Sequence, residues 1–521
     1  MKSAQSICSR YQKLATEDDA HHRAHLREVY EYIMPYRARA GDRNGGPAKG
    51  AKRTERVFDA TAVAAAPRGA GRLKRAITPD YEQWFKLVPG PLIEDANQRD
   101  TIERLLDTTT KIVWQVFNGG QFSRAADEMY IDLFAGMGAM LVLPGDDEEE
   151  IVSFTSISAE DIVVDEDGKG NITKWYYEMP VPASEIETAW PDAEIPGQLA
   201  KIIAEEPDKD IALLIHCAKV RAKTFDFQVI WKEGQAALVT EELRTSPFIT
   251  PRFFRIPGEK RGRGPAMLAL PHVKTLNKTV EMQLKAAAFA ILGAWMTSDD
   301  NLYNPRTTAL RPGGIVKVSR TGGPNGAALE RLPIPEQFDL TGLVLQELRA
   351  QVREIMYDDP LPDEQGAVRS PTEIVARLRR LSQDISSAFG RLISELFIPL
   401  IQRVIDLLEQ AGLLSEFVSI NQFVARLQVL SPLAEAQMME EVEKTLNFHS
   451  ILVQTVGPEA AKIYMSDDKL VDFLQAKMGI ERGLMTPPDE RAALRKQNEE
   501  MNAAIMAAQA AGMKIPEKAA A

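Results

Sequence analysis

Four carboxylates within seven positions, Asp161, Asp165, Glu166 and Asp167, are where this chain could hold a divalent cation or carry out nuclease chemistry. Their spacing fails the EF-hand pattern, and Asp167-Gly168 reads as a hairpin tip, which favours a turn over a metal site. His21 and His25 stand four apart on a predicted helix and could share a metal. The metalloprotease form, however, places Glu after the first His, where this chain has His22. Gly45 and Gly50 keep the glycine spacing of a phosphate-binding loop, yet Ala51 and Lys52 follow where a lysine and then a hydroxyl residue are required. No G-x-S-x-G elbow, cysteine-nucleophile signature or dinucleotide fingerprint occurs. The residues therefore predict no enzyme, no metal and no cofactor, and point to architecture, assembly and partner binding. The enzymatic alternative is a metal-dependent nuclease or protease using the acids from Asp161 to Asp167 or the N-terminal histidines.

The composition agrees with that expectation. The chain has 521 residues, enough for three or four domains, with 74 acidic against 62 basic side chains and a net charge of -12. Tight DNA binding relies on Lys and Arg neutralising phosphates, so any contact with DNA must be local or weak. Cys8 and Cys217 lie far apart and suggest neither a disulfide framework nor a cysteine zinc site, in keeping with a reducing compartment. The longest apolar run, Ala286 to Met296, has about half the residues needed to span a bilayer, and the N-terminus lacks a secretory h-region. A soluble, cytosolic chain without membrane insertion is expected.

The elements that would position these residues fall into sections. Two helical patterns run from about Ala4 to Tyr36, then a basic, Gly-rich loop from Arg37 to Arg56, read as solvated or as a phosphate-touching arm. Helices are predicted over about Asp59 to Ile77, Asp100 to Val116 and Gln121 to Phe134, with a short strand beginning at Trp84-Phe85. From Ala139 to about Ile256 the period becomes alternating, giving a β-rich module with one or two inserted helices. A long helix follows, from about Pro265 to Met296. It carries Leu276, Val280, Leu284, Ile291 and Trp295 on one face and a charged stripe of Lys274, Lys278, Glu281 and Lys285 on another. A Pro/Gly-punctuated island, Ser298 to Pro335, holds a small β element near Gly314 to Val318, and a second helix spans about Asp339 to Tyr357.

Next comes an acidic loop, Asp358 to Arg369, and then an unusually long helix. Ser370, Pro371 and Glu373 supply its N-cap, first position and capping-box partner. Apolar residues from Ile374 to Leu408 recur at spacings of three and four, Pro399 predicts a kink, and Gly412 ends it. A strand over Phe423 to Leu430, helices from near Pro432, and a frayed Ala/Lys/Pro tail complete the chain.

Four segments, spread from one end of the chain to the other, stand out for their order. Tyr32-Ile33-Met34-Pro35 closes one helix, and Phe58-Asp59-Ala60-Thr61-Ala62 opens another that leads to Thr78-Pro79 and Trp84-Phe85. Gly262 to Pro265 introduces the long helix. Ser370-Pro371-Thr372-Glu373-Ile374 heads a helix bearing Arg391-Leu392, Glu395-Leu396 and Pro399-Leu400, and Val429 to Gln437 precedes the C-terminal helices. In this order the chain resembles the head-to-tail connecting, or portal, proteins of short-tailed double-stranded DNA bacteriophages (podoviruses), departing at Phe58, where Tyr is expected.

The resemblance implies an α+β, mainly α, portal fold with wing, two-helix stem, small α/β clip and helical C-terminal crown. The wing would be 1–263 with 371–430, the stem helices 264–297 and 336–357, the clip 298–335, the tunnel loop 358–370, and the crown with its flexible tail 431–521. It implies a homo-oligomer, a dodecameric ring at one capsid vertex of the virion, assembled in the host cytoplasm and used for genome packaging and ejection. Implied partners are double-stranded DNA, the terminase large subunit, a tail adaptor or tube protein, major capsid and scaffolding proteins, and internal core proteins. On this mapping Asp358, Asp359, Asp363, Glu364 and Arg369 face the DNA channel. The stem lysines either form basic rings or pair with acids on the neighbouring subunit. Asn304, Arg306, Arg311, Lys317 and Arg320 are docking candidates on the clip. A different ring-forming phage tail adaptor is the structural alternative.

Overall fold

The computed structural model describes residues 3–38, 52–90, 96–119, 121–147, 150–221, 224–293, 295–298, 312, 314–318, 329–331, 339–358, 388–414, 420, 425–478 and 491. The fold is α+β and mainly helical. The chain forms two compact units, Met1–Pro432 and Leu433–Ala521.

In the first unit, α1 (Ala4–Asp18) and α2 (Ala24–Tyr32) are joined by one π turn, Asp19–Arg23. Ile7, Cys8, Tyr11 and Leu14 of α1 share a helical face. That face lies against Val163, Tyr176, Leu214 and Ile230 of an antiparallel sheet. The sheet has the order β4-β5-β6-β7-β8 (Ile162–Glu166, Ile172–Pro182, Asp210–Arg221, Thr224–Trp231, Ala236–Leu243). Its opposite face carries Val164, Trp175, Leu213, Ile215, Cys217, Phe227, Val229 and Trp231 into a second core. Alternation along β6 thus sends Leu214 one way and Leu213 and Ile215 the other, so both faces of the strand are apolar. Met137, Ala139 and Leu141 join this second core, with Leu141 on β2 of a smaller sheet, order β3-β2-β9 (Glu150–Ser156, Met140–Asp147, Phe248–Ile249). Two helices, α6 (Ile186–Ala189) and α7 (Gly197–Glu205), are inserted in the module.

The helical core joins α2, α3 (Thr61–Ile77), α5 (Gln121–Ala135), α8 (Pro265–Leu292) and α9 (Asp339–Ile355). Beside it, β1 (Phe85–Pro89) pairs antiparallel with β15 (Ala425–Val429), Leu87 opposite Leu427. Trp84 at the head of β1 stacks among Phe117 of α4 (Ala96–Asn118), Phe122 of α5 and Phe397, with centroids 5.2, 6.2 and 5.1 Å away. Such rings contribute through area and edge contacts alike. Two short strands, β10 (Phe254–Arg255) and β11 (Gly262–Arg263), lead into α8.

The helix expected to reach Met296 ends at Leu292. Gly293, at φ 68°, takes a conformation that L side chains avoid, and its N–H closes on the Phe289 carbonyl at 2.8 Å. Trp295 is therefore not on the helix face. It starts β12 (Trp295–Ser298), which pairs parallel with β13 (Ile315–Val318) and antiparallel with β14 (Leu329–Arg331). The expected kink at Pro399 takes the form of a π turn over Ile393–Phe397, directly ahead of α10 (Ile398–Gln410). A widened turn next to proline accommodates its missing N–H. Gly412 does end α10: its N–H reaches the Glu409 carbonyl at 3.0 Å and that of Leu413 reaches Leu408 at 2.9 Å, the Schellman pattern. The cap at Ser370, Pro371 and Glu373 lies outside the described residues.

The second unit is helical: α11 (Pro432–Val456), α12 (Pro458–Tyr464) and α13 (Asp467–Met478).

Both ends of the α8–α9 hairpin meet the C-terminus of α5, and α3 crosses α9 at Gly69. A Cβ there would overlap the Met356 carbonyl oxygen and lie 2.7 Å from Phe134 Cζ, whereas one at Gly71, two residues on, would meet nothing. Gly69→Ala should therefore lower the unfolding free energy by about 1–3 kcal/mol through overpacking. Gly71→Ala should raise it by roughly 0.5–1 kcal/mol through helix propensity. Denaturant unfolding of both variants checks the pair, and equal effects would contradict the close crossing.

Candidate functional site

The acidic loop begins at the end of α9, and the structure fixes its first residue. Tyr357 sits at φ 52°, unusual for a side chain of its size. Its N–H donates to Glu354 O at 3.1 Å and that of Asp358 to Arg353 O at 2.8 Å, a Schellman ending with tyrosine where glycine is usual. The tyrosine ring compensates by packing against Phe134 and Phe253, with centroids 6.3 and 6.5 Å away. Arg72 of α3 donates from Nη1 to Tyr357 O at 2.7 Å and faces Asp358 at 3.3 Å, while Arg68, one turn earlier, reaches Asp358 at 3.6 Å.

Asp358 is only 4 % exposed. The resemblance implies that Asp358 faces the DNA channel; in the single chain its carboxylate turns inward to the two arginines and ties the end of α9 to α3. Asp359, Asp363, Glu364 and Arg369 lie outside the described residues.

The charged stripe on α8 is paired within its own chain. Lys274 reaches Glu28 of α2 at 2.6 Å and lies over the Tyr32 ring at 5.6 Å. Glu281 takes Lys278 at 3.0 Å and Lys285 at 2.6 Å. Those two hydrogen bonds, Lys285 first, hold the Glu281 carboxyl below the usual carboxylate range. Lys317 is on β13, and Asn304, Arg306, Arg311 and Arg320 lie outside the described residues.

The four carboxylates singled out for metal chemistry are mostly committed elsewhere. Asp165 takes Arg10 at 2.9 Å and Lys174 at 3.0 Å, with Lys260 at 3.7 Å. Glu166 takes Arg252 at 3.2 Å. Asp167 accepts the N–H groups of Lys169 and Asn171, both at 2.9 Å, which makes it the hairpin tip the sequence predicts. Among the described residues no group of three or more His, Cys, Asp or Glu side chains could hold a metal ion. No helix among them is long and apolar enough to cross a membrane.

Arg37, read as part of a solvated or phosphate-touching arm, instead clamps the fully buried Asp132 with Nε at 3.0 Å and Nη2 at 2.5 Å. The Tyr30 hydroxyl donates to the same carboxylate at 3.1 Å, and the Ala159 N–H at 3.2 Å. Nothing local in the sequence marks this pairing or the one between Arg72 and Asp358. The only hint is Arg68 and Arg72 at i,i+4 around Gly69, Ala70 and Gly71, a basic edge on the Ala/Gly-rich part of α3.

Residues 4–485 match the family of bacteriophage head to tail connecting proteins. The chain belongs to this family. Among solved structures, a chain from the virion of a native gene transfer agent (GTA) particle is similar at 13 % identity. That match has a TM-score of 0.28 and covers 89 % of this chain and 98 % of the other. A chain from the neck of a native GTA particle computed with C12 symmetry is similar at 12 % identity, TM-score 0.30, with 87 % and 99 % covered. No curated protein matches.

In this head to tail connecting protein Asp165 ties α1 to the β module. Burial alone would raise its carboxyl, but the hydrogen bonds from Arg10 and Lys174 hold it below the usual carboxylate range. With a folded value under the unfolded one of about 3.9, its stabilisation is present above that pH and is lost as pH falls through the folded value. Asp165→Asn should lower stability at neutral pH by about 1 kcal/mol, given how exposed the cations are. The difference from wild type should close on acidification toward about pH 2; a difference that persists there would contradict the assignment.

Proposed function

We propose that this protein is the portal subunit: twelve copies close into a ring at one capsid vertex, through which the double-stranded genome enters and leaves. The observation that carries this reading is the α8–α9 hairpin. Near its base Leu276, Leu345 and Val352 are buried, but towards the small sheet Met282, Leu284, Ile291 and Leu343 are exposed, Ile291 to 81 % and Leu343 to 66 %. A helix of 28 residues extends about 42 Å. One chain leaves this apolar surface in water, at a cost of roughly 25 cal/mol for each Å². A neighbouring copy set head to tail would cover it, and such contacts make a ring when the rotation closes.

The conduit must pass DNA of any sequence without gripping it. At -12 per chain, twelve copies carry a formal charge of about -144, which repels phosphate from the wall. Pairing of Lys278 and Lys285 on Glu281 supports stem lysines that are partly neutralised within each subunit rather than free basic rings. The loop after Asp358 is the segment nearest the DNA on this reading, and Asp358 with Arg68 and Arg72 is its fixed post. The three-stranded β12–β14 sheet, with the island around it, is the clip that meets the terminase large subunit during packaging and a tail adaptor afterwards. The outer part of the ring meets capsid and scaffolding proteins, and the C-terminal helices form the crown, which would face internal core proteins. The chain's role is structural and not enzymatic.

Capsid assembly with and without this chain tests the proposal. Particles made without it should contain no packaged DNA, and asymmetric reconstruction of complete particles should find the chain at one vertex. Packaging in its absence, or the chain at every vertex, would overturn it. Within that test, neutralising Asp359, Asp363 and Glu364 together should alter packaging while particles still assemble; unchanged packaging would remove the loop from the DNA path.

A further inference from the structure

Three guanidinium groups gather where the β4–β5 hairpin meets the π turn ahead of α10, against two carboxylates among the described residues, Glu166 and Glu395. Arg252 is buried and saturated. Its Nε and Nη2 donate to Glu395 at 3.2 and 2.6 Å, Nη1 to Glu166 at 3.2 Å, and Nη2 also to Gly170 O at 2.9 Å. Arg255 lies flat on Gly170, where any Cβ would collide with it, and reaches Glu166 only at 3.4 Å. Arg391 approaches Glu395 no closer than 3.9 Å, too far for a hydrogen bond. Among the described residues no acceptor meets the buried Nε atoms of Arg255 and Arg391. The two side chains nevertheless keep 25 % and 29 % of their surface exposed. Among the described residues the cluster is therefore short of both negative charge and acceptors, and guanidinium forks are the side chains best matched to an oxyanion.

We propose that Arg255 and Arg391, on the platform of Arg252, form an oxyanion-binding cleft that receives a carboxylate side chain from a second copy of this chain. The inference rests on the ring reading above. A carboxylate fits better than a DNA phosphate: both side chains are largely buried, and a flexible Asp or Glu reaches such a site more readily than a phosphate fixed on a stiff duplex. Acids outnumber bases on the chain, 74 to 62, so a neighbour's surface supplies them. Burial, with repulsion from Arg252 and Arg255, lowers the pKa of Arg391 despite Glu395, as expected of a cation lacking its counter-ion.

Ring assembly of Arg391→Glu, followed by sedimentation velocity against protein concentration, tests this. The variant should melt close to wild type yet need at least about tenfold more protein to form rings, equivalent to one decade in affinity. Rings at the wild-type concentration would overturn the proposal. Should Arg391→Glu fail to fold, Arg391→Gln, which keeps a hydrogen-bonding group and removes the charge, is expected to show the same direction of effect; normal rings from it would overturn the proposal equally. Failure of the ring reading is separable, because wild type would then form no rings. In that case inorganic phosphate at matched ionic strength should raise the melting temperature of wild type but not of Arg391→Gln. Equal shifts would overturn the cleft.

Discussion

A long helical hairpin that one chain cannot bury is the constraint on which the rest of the structure depends. The base of α8 is packed like any core helix, through Ala266, Ala269, Leu270, Val273 and Leu276, whereas its distal part carries Met282, Leu284, Ile291 and Leu292 into solvent. A monomer gains nothing from keeping that surface apolar. The arrangement makes sense when the missing half of the core belongs to a neighbour, and the charged stripe on the same helix then keeps its exposed face soluble.

Such a hairpin needs a rigid root. Here α3, α5, the start of α8 and the end of α9 converge with no room to spare: Gly69 passes under the Met356 carbonyl, and Tyr357 accepts an unfavourable backbone conformation to keep its ring against Phe134 and Phe253. Asp358 is then drawn in by Arg72 and Arg68. A residue that by composition belongs to an acidic loop is, by geometry, part of the helical core. On the proposed portal reading, the segment nearest the DNA starts from this fixed point.

Much of this was legible in the sequence where burial imposes a period. The spacing of three and four along α8, α9 and α10 marks these helices, and β-branched runs mark the strands of the five-stranded sheet. The order of short motifs from Tyr32 to Gln437 is enough to suggest the family. What was illegible depends on partners distant in sequence. Leu292, Gly293 and Trp295 continue an apolar run, so only the glycine hints that the helix stops, and the strand that follows exists because Ile315–Val318 and Leu329–Arg331 flank it. The π turns at Asp19–Arg23 and Ile393–Phe397 leave no signature in periodicity. Arg37 and Asp358 look like solvated charges until Asp132 and Arg72 are brought to them by the fold.

The proposal that the exposed face of the hairpin is covered by a neighbouring copy in a closed ring is tested by the native mass of the purified protein across a wide concentration range. A closed ring gives a discrete species at twelve times the 57.8 kDa chain, present well below the concentrations at which unspecific aggregates form. Replacing Met282 and Leu284 with Asp should return it to the monomer without loss of helix content. A chain that stays monomeric at every concentration, or a ladder of open oligomers that those two substitutions leave unchanged, would contradict it.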